Sequence, residues 1–265
     1  MPPNSLNTSK VSSFWMLLAL VTGGYTLFLL GLLSATAAYS TPAHLLATLR
    51  SREIQHSIQL SLVTCTATAL LSVLLAVPSG YLLSRTTFPG KALVEAILDI
   101  PIVLPPMVIG LCLLIFFQTP LGHFLEKAVT LTYTVYGVVL AQFVIGAAFA
   151  IRTMRGTFDH LSPRPEAVAM TLGCSRARAF WLVTLPAARR GMFAAASVAW
   201  ARSLGEFGPI LVFAGATRMK TEVLPTTVWL ELSVGNLEAA VAVSLLMVVF
   251  AVGILMAVRK VGERV

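Results

Sequence analysis

The sequence predicts an all-α integral membrane protein with six transmembrane helices and both ends on the cytoplasmic side. Three observations carry this. Of the 265 residues, 57% are hydrophobic and 11% charged, about half the charge of an ordinary soluble domain. Mean hydropathy is +0.86, and the apolar residues form runs of about 20 rather than short alternating segments, which marks spanning helices and not a β-barrel. The basic residues are shared unevenly between the loops, which sets the orientation.

The expected spans are 12–36, 57–83, 92–117, 132–151, 191–215 and 238–258. The first ends in "SATAA", which resembles a small-residue cleavage site. Its apolar run is longer than the ~7–15 residues of a signal core, so it reads as an uncleaved helix. The third contains "ILDIPIVLPPMVIG", Ile97 to Gly110, where Pro101, Pro105 and Pro106 must kink or break the helix. Carbonyls freed at membrane depth need water or neighbours, so this span is expected to line a cavity. Glu95 and Asp99, four apart at its cytoplasmic end, read either as interfacial or salt-bridged carboxylates or as a proton relay. The fifth contains "WARSLGEFGPILVFAG", Trp200 to Gly215. Arg202 and Glu206 stand four apart and share a face, and Gly205, Gly208 and Pro209 loosen the helix beside them. Ionised groups at membrane depth cost a few kcal/mol and face a cavity or a partner. The pair is therefore either a wall of a translocation path or an ion pair that orients the span.

With the N-terminus inside, 13 Lys and Arg fall on the cytoplasmic side, 5 outside, and Arg202 within a span. This placement accounts for the net charge of +8 without a nucleic-acid partner. Cys65, Cys112 and Cys174 are far apart and form neither a disulfide framework nor a zinc motif. The four histidines have no metal-ligand spacing either. The chain reads as one membrane domain, 1–265, in the cytoplasmic or inner membrane and in contact with lipid. Its external connections are 37–56, 118–131 and 216–237, and its longest loop is cytoplasmic, 152–190.

That loop carries "PEAVAMTLGCSRARAFWLVTLP", Pro165 to Pro186. Ser162 reads as a helix cap, Pro163 and Pro165 fix the first turn, Glu166 follows, and Gly173 stops the helix. Ala167, Val168, Ala169, Met170 and Leu172 lie between. A two-turn helix is marginal in water and must dock on something. A second helix is expected from about Ser175 to Pro186. Arg176 and Arg178 beside Phe180 and Trp181 would also suit a helix resting on lipid headgroups.

The spacing resembles the signature loop of permease subunits of binding-protein-dependent ABC importers: Glu-Ala-Ala, three residues, Gly, nine residues, an aliphatic, any residue, Leu-Pro. Gly173, Val183, Leu185 and Pro186 stand at the expected spacing, and Val168 and Ala169 occupy the alanine places. Ala167 holds the place of the motif Glu, and the acid stands one residue earlier as Glu166. The resemblance implies a type I importer bundle in which Glu166, Ala167, Val168, Ala169, Leu172 and Gly173 form a coupling helix seated on an ATP-binding subunit. Val183, Leu185 and Pro186 would frame the loop. The Ile97–Gly110 and Trp200–Gly215 stretches, with "KTEVLPTTVW" (Lys220 to Trp229), are similar to the molybdate, tungstate and sulfate branch.

That branch implies a homodimer, two ATP-binding cassette subunits that bind ATP and Mg, and an extracytoplasmic oxyanion-binding protein. The chain has no Gly-x-x-x-x-Gly-Lys-Ser/Thr loop, so any ATPase is another polypeptide. It carries no catalytic set and no metal or cofactor of its own. Pro101, Pro105, Pro106, Arg202, Gly205, Glu206, Gly208 and Pro209 are the candidate gate. Molybdate or tungstate is the expected cargo. Sulfate, thiosulfate or another small solute is the alternative, and a proton-coupled carrier using Glu95, Asp99 or Glu206 the further one.

Overall fold

The structure, a computed structural model, describes residues 8–39 and 41–264 of the chain. The side chains of Lys10, Arg259, Lys260 and Arg264, counted above toward the inner face, lie outside the described part. Every regular element among the described residues is helical. α1 (Thr8–Ala38) and the short α2 (Pro42–Arg50) precede α3 (Arg52–Arg85), which Ser51 caps by accepting from the Ile54 N–H. Next come α4 (Lys91–Val103) and α5 (Pro106–Phe117), then the short α6 (Pro120–Ala128). α7 (Val135–His160) leads into α8 (Arg164–Thr171) and α9 (Arg176–Ala179). A π-helical turn, Phe180–Thr184, joins α9 to α10 (Leu185–Ala187), and α11 (Arg189–Leu204) follows. A second π turn, Ile210–Ala214, precedes α12 (Leu224–Ser233) and α13 (Leu237–Arg264).

Four of these helices are long and apolar enough to cross a membrane: α1, α3, α7 and α13. α4 and α5 meet the same criterion as a pair, bent by 112°. The break falls where the prolines require it. Pro105 and Pro106 cannot donate to the preceding turn, and Pro106 instead opens α5 at a position where no donor is needed. The expected span 191–215 is not one helix. α11 has 16 residues, about 24 Å of rise, short of the ~30 Å hydrocarbon core.

The centre of the molecule is the seam between α3 and α7, the largest helix pairing in the chain. α3 buries Ser57, Ser61, Cys65, Thr68, Ser72, Ala76 and Gly80, a residue every three or four places and all of them small. Small side chains let backbones approach where no hydrophobic force drives association. A Cβ on Gly80 would stand 2.8 Å from the backbone nitrogen of Arg155. α11 closes the third side, with Ala195 and Ala199 packed into the cluster around Ala76, Ala150, Met154 and Phe158. α12 is anchored from the seam: the Ser61 hydroxyl accepts from the Leu224 N–H at 2.8 Å.

Candidate functional site

α8 follows α7 in the chain and packs on α9 and the first π turn. Its start differs from the expectation. Pro163, not Ser162, is the capping residue, with no side-chain cap, and the Ser162 hydroxyl only accepts from the Arg164 N–H at 3.4 Å. Pro165, in the first turn, has no N–H for a cap to satisfy. Its end is as expected and complete in detail. Cys174 N–H donates to Ala169 O and Gly173 N–H to Met170 O, both at 3.1 Å, the paired bonds of a Schellman stop. Gly173 takes φ +92° there, a left-handed geometry that favours glycine.

The two faces of α8 differ. Ala167, Val168, Leu172 and Gly173 are exposed, Leu172 at 81%. Ala169 is half-buried. Glu166 turns inward and is buried. The Tyr81 hydroxyl, near the end of α3, donates to its Oε1, and the Thr184 hydroxyl, in the first π turn, donates to Oε2 at 2.8 Å. Tyr81 is itself wedged between Phe158 and Phe180, with ring centroids 5.5 and 4.6 Å away. Arg85 adds a bond to Leu161 O at 2.8 Å. A buried carboxyl group needs such hydrogen-bond partners. α8 is thus tied to α3 and to the segment that leads into α11.

The rest of the loop is not one helix. Leu185 N–H donates to Phe180 O across a π turn. Pro186 follows within the first turn of α10 rather than ending the segment. The widened turn lets the chain carry a residue with no donor without a full break. Val183 lines, with Thr184 and Ala187, a cavity of about 200 Å³ beside Glu166, while Pro186 is exposed and Leu185 half-buried.

The break between α4 and α5 and the break after α11 meet directly. A Cβ on Gly110 would stand 2.7 Å from Pro209 Cα, and one on Gly208 would stand 2.9 Å from Met107 N. The start of α5, after Pro105 and Pro106, therefore packs backbone to backbone against the break after α11. Pro101 lies inside α4, on the other limb of the bend. Arg202 Nη1 is 3.0 Å from Glu206 Oε2, outside hydrogen-bonding alignment. The Glu206 side chain is 2% exposed and that of Arg202 33%. The guanidinium also lies 5.7 Å from the Phe149 ring centroid. Gly205, at the end of α11, is exposed. Glu95 is held by Arg155 at 3.0 Å and Lys91 at 3.8 Å, the arrangement of a salt-bridged carboxylate joining α4 to α7. Among the described residues no group of three His, Cys, Asp or Glu could hold a metal ion.

Three residues of these sites had no signal in the sequence: Tyr81, Thr184 and Gln142. Gln142 is 1% exposed and donates from α7 to the Ser203 carbonyl at 3.2 Å, at the point where α11 stops. Tyr81 near the end of a span reads from sequence as a membrane-interface residue. The other two are single polar residues inside apolar runs.

Residues 70–265 match the family described as binding-protein-dependent transport system inner membrane component. A probable molybdenum ABC transporter permease protein of Haloferax volcanii is 34% identical over 243 residues, 92% of this chain and 88% of that one. A molybdate/tungstate transport system permease protein of Thermococcus kodakarensis is 39% identical over 170 residues, 64% of this chain and 65% of that one. A sulfate transport system permease protein of Salmonella typhimurium is 31% identical over 188 residues, 70% and 68% of the two chains. The crystal structure of a bacterial ABC transporter involved in the import of alginate aligns with a TM-score of 0.73 over 97% of this chain and 98% of that one, at 15% identity, which shows a shared fold. This chain belongs to the family of binding-protein-dependent transport system inner membrane components, and it is a multi-pass protein of the inner membrane.

Proposed function

We propose that this chain is the permease subunit of an ATP-driven importer that carries molybdate or tungstate into the cytoplasm by alternating access. The observation that carries the reading is α8. It presents Ala167, Val168, Leu172 and Gly173 outward while Glu166 ties it inward to Tyr81 and Thr184. A short helix with a largely apolar outer face and a hydrogen-bonded inner attachment is suited to receive a push from a partner and pass it on. On this reading α8 is the coupling helix, seated in a groove on an ATP-binding cassette subunit. Two such subunits bind ATP and Mg, and their closure moves the spans.

The chain has six crossings with both ends cytoplasmic, the third and fifth being the broken pairs. Where they meet, around Pro105, Gly110, Arg202, Glu206, Gly208 and Pro209, is the gate. One six-span chain offers half a pathway, so the permease works as a homodimer. An apolar groove of about 780 Å³ between α3 and α7, lined by Leu71, Leu74, Val135, Tyr136 and Phe143 among others, supports a further helix packing there. An extracytoplasmic oxyanion-binding protein delivers the cargo. A solved relative of the fold is in complex with its periplasmic protein.

The cargo rests on the relatives: those named for molybdenum or for molybdate and tungstate are 34–39% identical, the sulfate permease 31%. Uptake of labelled molybdate at trace concentration, in cells with and without this gene, tests it. Loss of uptake in the deletion, with tungstate competing and sulfate not, is expected. Unchanged molybdate uptake in a strain without a second molybdate system, or sulfate competing as well as tungstate, contradicts it.

A further inference from the structure

The carbonyl of Ser203 is held from two directions. The Glu206 N–H donates to it along the chain at 3.1 Å, and Gln142 Nε2 donates to it from α7 at 3.2 Å. Gln142 Oε1 in turn accepts from the Thr68 hydroxyl of α3 at 3.3 Å, a hydroxyl that also reaches Val139 O at 3.4 Å; with the acceptor-only Ser203 carbonyl opposite, the NH2 end of the amide faces α11. The junction is tight. A Cβ on Gly146, one turn along α7, would lie 3.3 Å from both Ser203 Oγ and Thr68 Cγ2. A helix that stops at membrane depth leaves carbonyls without donors, and no lipid replaces them. At this break Ser203 O keeps local donors, the Gly205 and Glu206 N–H groups, and gains a further one from α7, so the same carbonyl links Gln142 to the backbone of Glu206.

We propose that Gln142 is the positioning residue for the Arg202–Glu206 pair. α3 orients its amide, the amide grips Ser203 O, and that grip sets where Glu206 stands. The pair is thereby placed by the α3–α7 seam, the same α3 that holds α8 through Tyr81, rather than by α11 alone. The inference rests on the gate reading given above.

The test uses the complete transporter reconstituted in liposomes with its ATPase and binding protein. Two variants remove the grip: Gln142→Leu, of similar size without polar atoms, and Gln142→Glu, which sets a carboxylate against the carbonyl. Molybdate uptake is expected to fall about threefold to tenfold, the effect of one buried hydrogen bond. The concentration of loaded binding protein giving half-maximal uptake stays unchanged. The diagnostic quantity is ATP hydrolysed per molybdate carried, which rises at least about twofold, since a misplaced gate wastes cycles. Thr68→Val, which removes the hydroxyl facing Gln142 Oε1 and Val139 O and leaves the Gln142 amide in place, shifts it the same way by less, and it decides the matter if the Gln142 variants do not insert. An unchanged ratio in these variants, or uptake and ATPase falling in proportion, overturns the Gln142 role. If Arg202→Ala and Glu206→Ala both transport like wild type, the gate reading itself fails. Those two impaired with the ratio unchanged removes only the Gln142 role.

Discussion

Tyr81 near the end of α3 donates its hydroxyl to Glu166 in the first turn of α8, across 85 residues of chain. With Thr184 on the other oxygen, both sides of the carboxylate are occupied. Glu166 is therefore an internal tie, and the outward surface of α8 is left to Ala167, Val168, Leu172 and Gly173, with Arg164 and Thr171 beside them.

If that tie transmits the push, Glu166→Ala weakens transport before it weakens folding. The variant loses two buried hydrogen bonds, about 0.5–1.5 kcal/mol each. Tyr81→Phe loses one, and its ring still packs on Phe158 and Phe180. Thermal unfolding in detergent should rank Glu166→Ala below Tyr81→Phe below wild type. Combined, the two changes should cost less than their sum, because both remove the same bond. Additive effects would show that the two residues act separately.

Gly173 has open space around it but φ +92°. Space therefore does not protect a substitution there. Gly173→Ala costs roughly 1–2 kcal/mol of local strain, and Gly173→Asn less, since asparagine tolerates that geometry. Gly173→Asp adds a charge to the outward face as well. It should spare membrane insertion yet abolish co-purification of the ATPase. Normal co-purification removes the docking role of α8.

Gly110→Ala and Gly208→Ala fail for the opposite reason, lack of room. Each new Cβ meets backbone, Pro209 Cα or Met107 N. Overpacking of this kind costs about 1–3 kcal/mol. Both variants should lose thermal stability and uptake together. A Gly253→Ala control, where nothing lies within 4 Å, should lose neither.

The Arg202 and Glu206 single variants each leave a partner unpaired at membrane depth. Arg202→Ala with Glu206→Ala should restore part of the stability lost by either, a coupling of about 1–3 kcal/mol. Strict additivity in a thermal-shift cycle would show that the 3.0 Å approach carries no coupling.

Glu222 lies in the connection between the second π turn and α12. Neither of its carboxylate oxygens has a hydrogen-bond partner among the described residues. Burial pushes its carboxyl above the usual 4.5, partly offset by the nearby Thr227 hydroxyl and by Arg218. Arg218 is itself paired with Glu53 and Glu231. A raised carboxyl binds its proton more tightly when folded, so stability falls as pH rises from that ordinary value upward. Glu222→Gln removes this dependence. It should match wild type in thermal stability at pH 4–5 and exceed it at about pH 8. Equal stability across the range would show that the burial is relieved in the membrane.

Much of this architecture is legible in the sequence, because lipid leaves few choices. The long apolar runs give α1, α3, α7 and α13, and Pro105 and Pro106 give the bend between α4 and α5. The expected span 191–215 is not legible as two pieces: Gly205 to Pro209 marks a loosened helix, but only the packing of Met107 and Gly110 shows that it must open. Pro186 reads as a helix end, yet the π turn before it absorbs the missing donor. The Glu166 tie is hidden because its partners stand 85 and 18 residues away, beyond any periodic pattern. Gln142 is hidden likewise, 61 residues from Ser203.

The most direct measurement is molybdate accumulation in liposomes holding the purified permease with or without its ATPase, with external binding protein, under ATP or under an imposed proton gradient. Accumulation only with ATPase, internal ATP and binding protein together is the predicted result. Accumulation driven by the proton gradient in the absence of the ATPase would contradict the importer account and return Glu206 and Glu95 to the role of proton carriers.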